Sequence, residues 1–161
     1  DAYDSVNPND YIKGFPWHPH RGMETITYLI KGNIEHVDSL GNSCSVLDGG
    51  CQWMTAGSGI IHQEIPKPSD RLLGVQLWLN LPAKDKMVAP KYRDILKENI
   101  PVIDEGDVQL HIIAGTYKGI QAAVESDYVK TLFLDVEVKA DCEWSFDTEK
   151  ASTLFVYIIQ G

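Results

Sequence analysis

From residue 25 to residue 81 the chain is a run of short β-branched and aromatic segments, and turn residues return about every eight to twelve positions. Glu24-Thr-Ile-Thr-Tyr-Leu-Ile30 reads as a strand and Lys31-Gly32-Asn33 turns it. Ile34 to Ser39 follows, with Ile34, His36 and Asp38 on one face and Glu35 and Val37 on the other. Leu40-Gly41-Asn42, Asp48-Gly49-Gly50 and Ala56-Gly-Ser-Gly59 then separate Ser43 to Leu47, Cys51 to Thr55 and Ile60 to Ile65. Arg71 to Leu81 is a longer strand. This pattern predicts an all-β antiparallel sandwich or barrel. Residues 1–14 are a polar lead-in, and Ile100 to Gly106 reads as a linker. Between them, Pro90 to Asn99 has the form of one short helix, with Tyr92, Ile95 and Leu96 on a face. Strands are expected again at Val108 to Ala114, Thr131 to Val138 and Ser152 to Gln160. Thr25 to Gly32 and Leu154 to Gly161 echo one another, as tandem β domains would.

The scaffold carries two stretches suited to holding a metal ion. Phe15-Pro-Trp-His-Pro-His places His18 and His20 two apart, and Ile61-His-Gln-Glu does the same for His62 and Glu64. Side chains at i and i+2 of an extended segment share a side, so each stretch offers two ligands on one face. Nitrogen and carboxylate donors without thiolate suit Fe, Mn, Ni, Cu or Zn and argue against a thiolate-rich structural zinc site. Four such ligands leave two positions open on an octahedral ion. Glu24, four residues after His20 and so of the same strand parity, is the rival ligand, and is read instead as a strand-edge carboxylate or as one that orients a histidine from behind. His36 and His111 have no such partner and read as ordinary hydrogen-bonded or partly exposed imidazoles. Phe15, Met54, Gln76 and Trp78, with Trp53, could line an aromatic pocket, although Trp53, Met54 and Trp78 would serve equally as core. The Gly57-Ser-Gly59 loop is not a phosphate cradle, since no Lys-Ser/Thr and no helix follows it. Ser58 lacks the strand-turn-helix setting of a nucleophile.

Charge narrows the partners. A net charge of −9 over 161 residues disfavours direct nucleic-acid binding and docking on anionic lipid. Arg21, Arg71 and Arg93 are too scattered to form a basic patch. Cys44, Cys51 and Cys142 are odd in number, and no Cys-x-x-Cys pair occurs, so neither a disulfide framework nor a zinc ribbon is expected. A reducing compartment is the simplest context, which makes the expected location cytoplasmic, and also nuclear if the source is a eukaryote. Residue 1 is Asp, and an apolar strand pattern runs up to Gly161, so a fragment of a longer protein is expected.

Three segments resemble the pirins, a branch of the cupin superfamily. They are Gly14-Phe-Pro-Trp-His-Pro-His-Arg-Gly-Met-Glu-Thr, Gln52-Trp-Met-Thr-Ala-Gly-Ser-Gly-Ile-Ile-His-Gln-Glu-Ile-Pro and Gln76-Leu-Trp-Leu-Asn-Leu. The resemblance implies a bicupin of two stacked β barrels, with residues 1–106 as the N-terminal cupin and 107–161 as a linker and the opening strands of an incomplete second one. It implies a metal, usually Fe2+, on His18, His20, His62 and Glu64, and it favours Glu64 over Glu24. Trp17 stands where relatives often have a small or polar residue. Two roles follow from the resemblance. One is a quercetin 2,3-dioxygenase that opens a flavonol with O2 and releases carbon monoxide, with Glu64 as base. The other is an iron-dependent, redox-sensing co-regulator that contacts a transcription-factor protein.

Overall fold

The computed structural model describes all of residues 1–161. Its strands are β1 (Ala2–Ser5), β2 (Phe15–His20), β3 (Met23–Lys31), β4 (Asn33–Asp38), β5 (Ser43–Leu47), β6 (Cys51–Thr55) and β7 (Ile60–Pro66). They continue with β8 (Leu72–Asn80), β9 (Lys91–Ile95), β10 (Val102–Asp104), β11 (Val108–Ala114), β12 (Thr116–Tyr117), β13 (Ile120–Gln121) and β14 (Phe133–Val138). Helix is confined to three single 3-10 turns. The all-β expectation therefore holds, and the strands expected between residues 24 and 81 form within a residue or two of their expected bounds.

Two antiparallel sheets build the sandwich. One runs β1-β8-β3-β6-β9 and the other β2-β7-β4-β5. A third, β10-β11-β14, covers the outer side of the five-stranded sheet, with β12 and β13 pairing alongside as a small ribbon. Period-2 alternation gives the five-stranded sheet two buried faces. Ile26, Tyr28, Cys51, Trp53, Val75 and Ile95 point outward and pack against Ile113, Ala114 and Val124. That cluster draws on both sides of residue 106. Leu29 points the other way, onto Ile34 and Val46 of the four-stranded sheet.

Three expectations are corrected. Pro90 to Asn99 is not a helix: residues 91–95 form β9, paired with β6 from Cys51↔Ile95 to Thr55↔Lys91, and only Lys97–Asn99 turns. The first residues are not merely a lead-in, because Ala2–Ser5 pair with Leu72–Val75 as an edge strand. Residues 152–160 form no strand. A strand needs a partner for its backbone groups, and this segment pairs with none, leaving Leu154, Phe155, Val156, Tyr157 and Ile158 exposed. The echo of residues 25–32 at 154–161 is thus a likeness of sequence without a likeness of structure.

Gly57 shows what the loop before β7 requires. Its φ is +51°, and a Cβ there would collide with the Val88 carbonyl. Its own carbonyl accepts from the Gly22 N–H at 2.7 Å, which ties the two turns flanking the histidine strands together.

Candidate metal centre

β2 and β7 are neighbours, and their register sets His18 directly opposite His62 and Phe15 opposite Glu64. β2 is an edge strand, so Pro16 and Pro19, which have no N–H to give, are tolerated in it. A register shift between Phe15 and His18 absorbs Pro16 and Trp17. The rings of His18, His20 and His62 then converge. His18 Nε2 lies 3.0 Å from His20 Nε2 and 3.0 Å from His62 Nε2. The His18 Nδ1–H donates to the Pro16 carbonyl at 2.8 Å, which leaves a lone pair on its Nε2.

This geometry fits a metal ion. Imidazole nitrogens held about 2.1 Å from a first-row ion and at right angles stand about 3.0 Å apart. The donors of His18, His20 and His62 all lie within 4.8 Å of one another. Glu64 does not join that group. It is buried on the same face as His62, but its carboxylate accepts from Gln76 Nε2 at 2.8 and 3.0 Å and from Thr27 Oγ1 at 3.3 Å. Gln76, named above as a pocket residue, is thus the group that holds Glu64.

Of the remaining pocket candidates, Met54 and Trp78 share the inner face of the five-stranded sheet, both opposite Thr25, while Phe15 and Trp53 lie elsewhere. Trp78 is 63% exposed, stands edge-on 5.4 Å from the His20 ring and donates its Nε1–H to Gln76 Oε1. Phe15 lies against Tyr3 at 6.1 Å and lines a separate cavity of about 240 Å³ with Gly14 and Pro66. Met54 is fully buried with Ala56 and Ile60, and Tyr92 packs on that cluster. Trp53 is on the far side of the sheet, in the outer core.

Glu24 is a correction. It neither ligates nor orients a histidine. It sits instead on the outer face of β3, where it accepts from Thr55 Oγ1 at 2.6 Å and from Ser126 Oγ at 3.4 Å and faces Arg93 at 3.9 Å. Strand parity cannot be carried from His20 to Glu24, because the chain turns at Gly22 (φ +68°) into the opposite sheet.

His36 is the residue that sequence reasoning undervalued. It is completely buried, its Nδ1 lies 3.2 Å from His62 Nδ1, and its Nε2 lies 3.3 Å from Asp38 Oδ2. The signal was available: an inward His36-x-Asp38 pair on a half-buried strand must find partners inside. His111, Asp135 and Glu137 form a second group of possible ligands on β11 and β14, beside a cavity of about 600 Å³. Asp135 already accepts from the Tyr28 hydroxyl at 2.9 Å.

Burial, and then the charges of His18, His36 and His20, push His62 down to about 3. Burial, then His18, also lowers His20. Both imidazoles are therefore held neutral, the form that binds metal. The folded pKa of His62 lies below the value of about 6.5 in an unfolded chain, so between these values the unfolded state binds more protons. Stability is fully present above pH 6.5 and falls as the pH drops through that window. The metal-free protein should lose about 1.4 kcal/mol per pH unit below 6.5 from this residue alone. Urea unfolding at pH 6.5 and pH 5 checks it, and equal midpoints would contradict it.

A β sandwich with ligand-type histidines on an inward strand pair defines a cupin with a histidine-rich centre. Comparison with known proteins agrees. The family model described as Pirin matches residues 1–79. A protein of Thermoplasma acidophilum, named as an inferred quercetin 2,3-dioxygenase, is 38% identical over 99% of this chain and 69% of its own length. The chain belongs to the pirin family. It is also 40% identical to a similarly named Pseudomonas aeruginosa protein, of which it spans 59%, and 42% identical to Pirin-1 of Arabidopsis thaliana, of which it spans 51%. Among solved structures, a quercetin 2,3-dioxygenase from Acinetobacter baumannii superposes with a TM-score of 0.71 at 38% identity, covering 76% of this chain and 45% of that one. No helix is long and apolar enough to cross a membrane.

Proposed function

We propose that this chain carries the metal-bearing cupin of a dioxygenase of the quercetin 2,3-dioxygenase type, with residues 1–106 holding the site and 107–161 opening a second barrel. The observation behind it is the convergence of three imidazole Nε2 atoms beside a buried, amide-held carboxylate. His18, His20 and His62 would hold the ion and Glu64 would complete the set. Fe2+ is the proposed metal, with Mn, Ni, Cu and Zn compatible with the same donors. When bound, it supplies Lewis acidity toward a flavonol 3-hydroxyl and a place for O2.

The rest falls to the chain's own side chains. Glu64 accepts the 3-hydroxyl proton on a carboxylate oxygen. Gln76 and Thr27 hold that carboxylate on the face it shares with His62. Trp78 offers an exposed indole face beside His20 against which flat aromatic rings can stack. The relatives named for this activity lend the substrate class, a flavonol and O2.

The test is anaerobic addition of quercetin to Fe2+-loaded protein, followed by O2. A new absorption band and then carbon monoxide are expected. No turnover with Fe, Mn, Ni or Cu would overturn the reading. The net charge of −9 speaks for the co-regulator alternative, in which an acidic surface meets a basic transcription-factor domain. Capture of such a domain by Fe2+ but not Fe3+ protein, without turnover, would favour it.

A further inference from the structure

We propose that Asp38 and His36 are positioning residues that lock His62 in the one neutral tautomer able to bind a metal ion. The metal part of this rests on the reading of His18, His20 and His62 as a metal centre. The lock itself follows from the order of the contacts from Asp38 to His62 and needs no metal.

The chain of contacts starts at Asp38. Its Oδ1 accepts the backbone N–H groups of Leu40 at 2.9 Å and Asn42 at 3.0 Å, and its Oδ2 accepts Asn42 Nδ2 at 2.7 Å. The turn after β4 thus fixes the carboxylate, and an ionised carboxylate only accepts. His36 Nε2, at 3.3 Å from Oδ2, must therefore carry the proton and donate it. A neutral His36 then has only a lone pair on Nδ1. His62 Nδ1 faces that lone pair at 3.2 Å, so His62 carries its proton on Nδ1 and donates to His36. Its Nε2 is left with a free lone pair, aimed at His18 Nε2 at 3.0 Å.

Each link is shielded. His36 and His62 are 0% exposed and Asp38 is 4% exposed, which restricts water from replacing a partner. Tyr92 stacks on the His36 ring, with centroids 4.9 Å apart and planes at 29°, and fixes its orientation. In the other tautomer His62 would point an N–H into the cluster and lose its place as a ligand.

Asp38→Asn makes a near-isosteric test. The two backbone N–H groups at Oδ1 hold the amide oxygen there, so the amide NH2 takes the Oδ2 position, where one hydrogen meets the Asn42 side chain, whose amide turns to accept it with its oxygen, and the other faces His36. His36 must then accept on Nε2 and carry its proton on Nδ1, which reverses the tautomer of His62. Two measurements are made on the protein and on this variant. Nitrogen-15 spectra of the metal-free imidazoles at pH 8 should show His62 protonated on Nδ1 in the parent and on Nε2 in Asp38→Asn, with His18 unchanged. Co(II) titration, read by its visible absorption, should show affinity weakened about 10- to 100-fold in the variant. His62 protonated on Nε2 in the parent, or variant affinity within twofold of the parent, would overturn the proposal. Failure of the parent to bind Co(II) would instead overturn the metal reading, while the nitrogen spectra would still decide whether the lock exists.

Discussion

Replacing His62 with alanine is expected to empty the metal centre. His62 sits opposite His18 in the β2–β7 register, and its Nε2 is one of only three imidazole donors that converge. Losing a group that merely supports a ligand costs up to about 100-fold in affinity, so losing the ligand itself should exceed that. Metal content after purification should fall from near one ion per chain to below about a tenth, a conservative reading of the same comparison. The change also leaves His36 Nδ1 facing a void, so folding must be confirmed by circular dichroism. Glu24→Gln is the matched control: it alters a buried carboxylate on the outer face of the other, five-stranded sheet and should leave metal content unchanged. Full metal content in His62→Ala would remove this histidine from the ligand set.

Trp53→Ala should give the largest loss of stability. The side chain is 0% exposed, at the centre of the cluster that joins the five-stranded sheet to β11. Removing a buried Trp typically costs about 3–5 kcal/mol, through lost apolar burial and the cavity left behind. In a chain of this size that corresponds to a drop in Tm of about 10 °C. The indole Nε1 has no hydrogen-bond partner, so the loss is one of packing, to which the Arg93 guanidinium 5.4 Å above the ring contributes. Trp78→Ala, at a 63% exposed position, should cost less than about 1 kcal/mol. Because Trp53 points away from His62, the folded fraction of Trp53→Ala should still bind metal. A shift in Tm below about 3 °C would contradict the core assignment.

Most of the sandwich was legible because its strands alternate cleanly and are separated by glycine. The histidine pairs were legible because i, i+2 spacing on a strand is a geometric statement. β9 was not. Tyr92, Ile95 and Leu96 fall at helical spacing after a proline, yet in the fold Tyr92 faces the Met54 cluster, Ile95 faces the outer core and Leu96 is exposed. Pairing with β6, a contact forty residues away in sequence, overrode the local pattern. Glu24 misled because parity holds only within one strand. His36 was underrated because spacing along a chain says nothing about which ring lies behind a ligand. Its role depends on the β4–β7 register, which sets it opposite Glu64 and Asp38 opposite His62.

Strand β3 has two buried faces with different clients. Thr27 helps hold Glu64, while Ile26 and Tyr28 fill the outer core. Its residues are in effect two interleaved messages, one polar and one apolar, written at alternate positions. Substitutions can edit either message alone, but inserting or deleting a single residue exchanges them, sending isoleucine to the carboxylate and threonine to the core. Sequence drift in this strand should therefore proceed by replacement at fixed length, and a library that varies length here should yield almost no folded members.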